Sequence, residues 1–190
     1  MTQTNLQGAN LSLGNLHQAH LRGANLQQAY LEGADFSEAN LKRANLDGAY
    51  LLFGNLKEAN LSDANLQACD LQNSILSKAN LSQANLLGAN LQRSDIEEAY
   101  LRMANLTKAN LRKTNLSKAY LRFAKLSGAN LDEAQLLGAN LSGADLSNTY
   151  LENAMLPDGT KWTPKTDMSR YTDPNHPDFW QPDWVKEQHD

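Results

Sequence analysis

Asp173, Asn175, His176 and Asp178 bring metal-ligand side chains together within six residues near the C-terminal end of the chain. Pro174 and Pro177 alternate with them, a pattern that suits a polar turn better than a coordination shell. The other histidines are His17, His20 and His189. A serine or cysteine nucleophile needs a buried, oriented imidazole beside it, yet His17 and His20 fall where the periodicity described next points side chains outward. Most serines there directly follow a leucine, also at outward positions. Cys69 is the only cysteine, so it has no disulfide partner within the chain, and its place in the pattern is that of a small inward residue with an inert thiol. The expectation is a protein that is not an enzyme, with no metal and no cofactor.

What must position every side chain is a repeat. From Leu6 to Leu156 a step of five visits thirty-one positions, all Leu except Phe36 and Ile96, without one insertion. Two residues before them, from Ala9 to Ala154, stand twenty-three alanines, with Gly14, Gly54, Cys69, Ser74, Ser94, Thr114 and Thr149 as small exceptions. The residue just before the Leu is Asn or Asp at twenty-one of thirty-one places. An α-helix advances about 100° per residue, so a step of five scatters the leucines around every side. A straight strand alternates faces with period two and would send successive leucines to opposite faces. The pattern works when each pentad is a short extended piece, with the small residue and the Leu both inward, followed by a corner. Such a chain coils, and its coils stack at about 4.8 Å as parallel neighbours. Four corners close a coil in twenty residues, a period supported by Tyr30 and Tyr50, Tyr100 and Tyr120, and Gly8, Gly48, Gly88 and Gly128; a fifteen-residue coil stays open.

The tandem Ala24-Asn25-Leu26-Gln27-Gln28 and Ala59-Asn60-Leu61-Ser62-Asp63 units resemble the pentapeptide-repeat family over residues 5–156. The resemblance implies an all-β fold: a right-handed quadrilateral parallel β-helix, a solenoid of about 7 to 8 coils. The run from Leu156 to Trp162 is similar to the segment that ends the coil in cyanobacterial members. Two units are expected, a β-helix over residues 1–156 and a Pro/Trp-rich C-terminal cap or tail over 157–190, because all five prolines and all three tryptophans lie beyond Leu156. Trp162, Tyr171, Phe179, Trp180 and Trp184 are apt material to cover the last ring of leucines. Nothing comparable precedes Leu6, so the first ring is expected to tolerate water or to meet a second molecule; a homodimer through a solenoid end follows as an expectation.

Seventeen Lys and Arg against twenty-one Asp and Glu give a net charge of −4, which excludes a bulk polycation that wraps nucleic acid. No apolar run reaches the eighteen residues of a membrane span, and Met1 to Leu6 lack the basic head and apolar core of a secretion signal, so a cytoplasmic protein is expected. The charge is uneven. Between Ala99 and Leu131 stand Arg102, Lys108, Arg112, Lys113, Lys118, Arg122 and Lys125 and no acid. On a twenty-residue coil these form a girdle, and on one side Tyr100, Arg102 and Met103 stack on Tyr120, Arg122 and Phe123. Arginine with aromatics is the composition of interface anchors. Leu13, Tyr30, Tyr50, Leu52 and Phe53 make a second apolar column.

The expected role is a non-enzymatic interaction scaffold or regulatory adaptor for an unidentified protein partner. Its expected contact residues are Tyr100, Arg102, Met103, Lys108, Arg112, Lys113, Tyr120, Arg122, Phe123 and Lys125 on the rod, with Trp162, Phe179, Trp180 and Trp184 on the tail. The alternative is a regulator of a nucleic-acid process. Some members of the resembled family imitate duplex DNA and inhibit type II topoisomerases with a strongly negative rod. The basic belt interrupts any such track here; direct nucleic-acid binding through the belt stays open, with nucleic acid not the expected partner.

Overall fold

A computed structural model describes residues 4–186; His189 lies outside them. Every regular bridge between neighbouring turns of the chain is parallel and joins residues twenty apart, from Asn5 with Asn25 to Gln135 with Met155. Four pentads therefore make one coil, and the fifteen-residue alternative falls. Each side pairs through one bridge residue, the one before the Leu, because two of every five residues are spent in the corner. Around Leu86 the pattern is complete: Leu86 N–H donates to Asn105 O at 2.7 Å, Asn105 N–H to Ala84 O at 2.9 Å, and Gly88 N–H to Thr107 O at 3.0 Å. The corner closes on itself when Ala89 N–H donates to Leu86 O at 3.0 Å.

Ala and Leu columns fill the bore, and from Ala24 to Leu141 nearly all are shielded from water. The non-alanine small positions obey the rule for buried hydroxyls. Ser74 and Ser94 Oγ donate to Leu71 and Leu91 O at 2.6 Å, Thr114 Oγ1 to Leu91 O at 2.8 Å, and Thr149 Oγ1 to Leu146 O at 2.8 Å. Cys69 is buried, its Sγ donates to Leu46 O at 2.7 Å, and burial pushes its thiol up to about 12, so it forms no thiolate near neutrality.

Asparagine before the Leu has a structural reason. Its Oδ1 accepts the backbone N–H two residues on, as Asn25 does from Gln27 at 3.2 Å, bracing the corner. Its Nδ2 donates to the Asn one coil below: Asn65 to Asn45 at 3.0 Å, Asn85 to Asn65 at 3.1 Å, Asn105 to Asn85 at 3.0 Å. An amide ladder thus runs up one wall from Asn5 and stops where Lys125 takes the position.

The corners are more demanding than the sequence suggests. The second residue after every Leu, from Gly8 to Asn153, has a positive φ, and twenty-two of these residues are not glycine. Positive φ at the third residue is the mark of a type II-like turn, and L side chains there cost roughly 1–2 kcal/mol each. The ladder bond from the same residue's N–H, such as Met103 to Arg122 O at 3.0 Å, holds them in place. Gly88 at φ 65 has open space around a would-be Cβ, so Gly88→Val isolates backbone strain. We expect it to lower stability by about 1–2 kcal/mol in urea unfolding, with Gly88→Asn losing less than half of that.

Past Met155 the phase is lost. Met155 makes an antiparallel bridge with Lys161, and the chain then folds back over the last coils through two one-turn helices, α1 (Ser169–Thr172) and α2 (Asp183–Lys186). Trp162, Met168 and Trp180 pack against the core, and Tyr171 is buried. Gly143 N–H donates to Thr172 O at 2.7 Å and Trp162 N–H to Ala154 O at 2.9 Å, replacing the ladder that another coil would have supplied. At the other end Leu6, Leu11 and Leu16 are only partly buried. No helix among the described residues is long and apolar enough to cross a membrane.

Candidate interaction surface

The twenty-residue register places His20, Asn40, Asn60, Asn80, Tyr100, Tyr120 and Asn140 in one column. At Tyr100 and Tyr120 this column carries stacked phenols, with ring centroids 4.7 Å apart and planes 19° from parallel. The stack is continued by the tail. Trp184 of α2 lies against Tyr120, centroids 4.5 Å apart at 54°, and its Nε1–H donates to Gly138 O at 3.2 Å. This cover leaves Tyr120 half-buried and Asn140 and Ser142 buried, while Tyr100 stays exposed. Burial pushes the Tyr120 phenol up, and Tyr100 and Glu98 add to the shift.

Beside the tyrosines runs the corner that carries Arg102 with Met103 and Arg122 with Phe123, all four exposed. The Arg122 guanidinium sits 5.3 Å from the centre of the Phe123 ring. That ring lies over Gly143, where any Cβ would collide with it. Between the tyrosines, the two arginines and Trp184 is a groove of about 250 Å³. On the opposite flank of the tyrosines, Glu98 holds Lys118 at 3.3 Å and Lys78 at 3.7 Å.

Tyr100, Arg102, Met103, Tyr120, Arg122, Phe123 and Trp184 are thus gathered into one face. The remaining expected contact residues lie elsewhere. Arg112 and Lys113 occupy a different corner and share Glu133, which lies 3.2 Å from Lys113; desolvation raises the Glu133 carboxyl, and the bonds and charges of these two cations together outweigh it and hold it low. Lys108 and Lys125 lie around the next wall, Trp162 and Trp180 sit against the core at the rod's end, and Phe179 is half-buried in the tail. The seven cations therefore do not act as one belt. Glu98 and Glu133, just outside the basic stretch in sequence, reach into it across one coil and pair with Lys118, Arg112 and Lys113, offsetting part of their charge. The signal that finds them is the twenty-residue register, since Lys118 and Glu98 are one coil apart.

In the tail, His176 accepts from Asp178 N–H at Nδ1 (3.0 Å) and meets Asp167 Oδ2 through Nε2 (3.1 Å). Asp173 Oδ1 accepts Asn175 N–H at 2.8 Å. These bonds make the Asp173 to Asp178 segment a polar turn tied to Asp167, and no group of three or more metal-ligand side chains placed to hold an ion occurs among the described residues.

The sequence matches the family model of pentapeptide repeats in eight copies, over residues 1–37, 15–51, 24–63, 64–102, 74–112 and 114–153. The crystal structure of HetL, a pentapeptide repeat protein involved in heterocyst differentiation regulation from the cyanobacterium Nostoc sp. strain PCC 7120, is 34% identical over 85% of this chain and 89% of that one, with a TM-score of 0.58. A trypsin-treated form of QnrB1, a plasmid-mediated fluoroquinolone resistance protein, is 25% identical over 77% of this chain and 72% of its own, with a TM-score of 0.70. No curated protein matches at the sequence level. With the repeat model covering most of the chain and a solved relative above 30% identity across nearly its full length, the chain belongs to the pentapeptide-repeat family.

Proposed function

We propose that this protein is a non-enzymatic, cytoplasmic interaction scaffold of regulatory type: a right-handed quadrilateral β-helix over residues 1–156 whose tail, 157–190, caps the rod. The observation that carries this reading is the face where Tyr100, Tyr120 and Trp184 stack beside Arg102, Arg122, Met103 and Phe123. Aromatic and arginine side chains on a rigid wall give contact area at little cost in conformational entropy, the character of an interface hot spot. The similarity to HetL, involved in differentiation regulation, supports a regulatory role. Direct nucleic-acid binding is the weaker reading, because three of the seven belt cations are already held by Glu98 and Glu133.

The test is affinity capture from the native cell with the wild-type protein and with a variant carrying Arg102→Ala, Tyr120→Ala and Phe123→Ala. A specific partner retained by the wild type and depleted at least tenfold by the variant is the expected outcome. Equal recovery by both proteins rejects this surface.

A further inference from the structure

Arg102 and Arg122 differ from their neighbours in the basic stretch. Arg112, Lys113 and Lys118 each meet a carboxylate, whereas neither Arg102 nor Arg122 has one within ion-pair distance among the described residues. They stack one coil apart, about 4.8 Å along the rod, which sets two like charges side by side. Arg122 leans on the Phe123 ring instead of an acid. Two forked guanidiniums, one apolar edge and one aromatic wall make a site suited to a carboxylate-bearing chain.

We propose that this groove binds an acidic, extended segment of the protein partner, laid along the rod axis with its carboxylates on Arg102 and Arg122 and its apolar side chains on Tyr100 and Trp184, which line it. The inference rests on the scaffold reading above and names the partner's chemistry. The groove opens at Ser82 and is closed by Trp184 and Val185 over Asn140, so its open part spans about two coil steps, roughly 10 Å, which matches about three extended residues. On the other flank of the tyrosines Lys78 and Lys118 are already held by Glu98, so among the described residues the arginine side is the one that offers unpaired donors to an acid. A nucleic-acid backbone fits poorly, since it brings a row of phosphates past both flanks and finds, among the described residues of this face, two guanidiniums without an acid.

A fluorescein-labelled peptide of alternating glutamate and proline serves as probe, because its prolines keep it extended and offer flat rings to the tyrosines. Fluorescence anisotropy with the full-length protein at low salt should show saturable binding that weakens as salt is added. The Arg102→Gln/Arg122→Gln pair should weaken it about tenfold or more, while Arg112→Gln/Lys113→Gln leaves it unchanged, circular dichroism confirming that both variants fold. Absence of binding at low salt, equal losses in the two pairs, or a labelled oligothymidylate that binds more tightly than the peptide each overturns the proposal. If the peptide fails while the alanine triple variant still loses its captured partner, the acidic-segment inference falls and the scaffold stands. Equal capture by wild type and triple variant removes the scaffold surface itself.

Discussion

Leu86→Ala should cost about 3–5 kcal/mol, while the same change at Leu6 should cost about 1 kcal/mol or less. The two leucines share one column, each follows Asn, and each donates its N–H to the coil above at 2.7 Å, so sequence context and backbone bonding are matched. They differ in surroundings. Leu86 is fully buried between coils on both sides, and its truncation leaves a cavity that the ladder on all four walls prevents from collapsing. Leu6 is only partly buried and already meets water. Urea unfolding of the two variants is the measurement. A rod whose coils touch only their neighbours predicts a further effect: the Leu86 variant weakens the joint between its two halves, so its transition should broaden and its m-value fall, while Leu6→Ala keeps the wild-type slope. Equal midpoint shifts for both variants would show that burial in the bore does not set stability.

That comparison depends on columns readable directly from the residues. Leu at every fifth position with a small residue two before it leaves a filled tube as the only arrangement that buries both, so the core was legible from residue type alone. The coil length was less so, because nearly identical corners carry no marker of where one turn of the coil ends. Only the tyrosine and glycine columns broke the symmetry, and the bridges of twenty fix it. The left-handed corners were hidden for a related reason. Glycine marks eight of thirty, and the others carry residues such as Phe123, Met103 and Glu133, whose ladder bonds override local preference. For the candidate face, the Tyr and Arg columns were legible once the register was assumed. The pairing reach of Glu133 and the seat of Trp184 on Tyr120 were not, since the first needs the coil geometry and the second joins the rod to a tail that has no repeat.

The tail should detach locally and leave the rod standing when its anchor is removed. Tyr171 is the one large aromatic in the tail that is fully enclosed, 2% exposed, with Trp180 at 6.0 Å edge-on and the Arg170 guanidinium 5.1 Å from its ring centre. Tyr171→Ala removes that ring from beneath a helix of four residues, too short to hold itself, and should cost about 3–5 kcal/mol of tail docking. Hydrogen exchange reads the result by position. The amides of Gly143, Trp162 and Trp180, which bond into or within the tail, should lose protection, whereas Asn65 and Leu86, several coils away, should keep theirs. Trp184 fluorescence should shift as the indole leaves Tyr120. Acid should act on the same joint. Desolvation raises the Asp158 carboxyl, but the bonds from Thr160, at 3.0 Å from N–H and 2.7 Å from Oγ1, and the Arg170 charge outweigh it, so its folded value lies below that of the unfolded chain. Its contribution is therefore complete above the ordinary carboxylate range and is lost as pH falls through the lowered value. Tail amides should lose protection ahead of the mid-rod amides on acidification, and Asp158→Asn should remove that pH dependence. Loss of protection along the whole rod in Tyr171→Ala would mean that the coils and the tail unfold as one unit, and that stability here is not passed only from neighbour to neighbour.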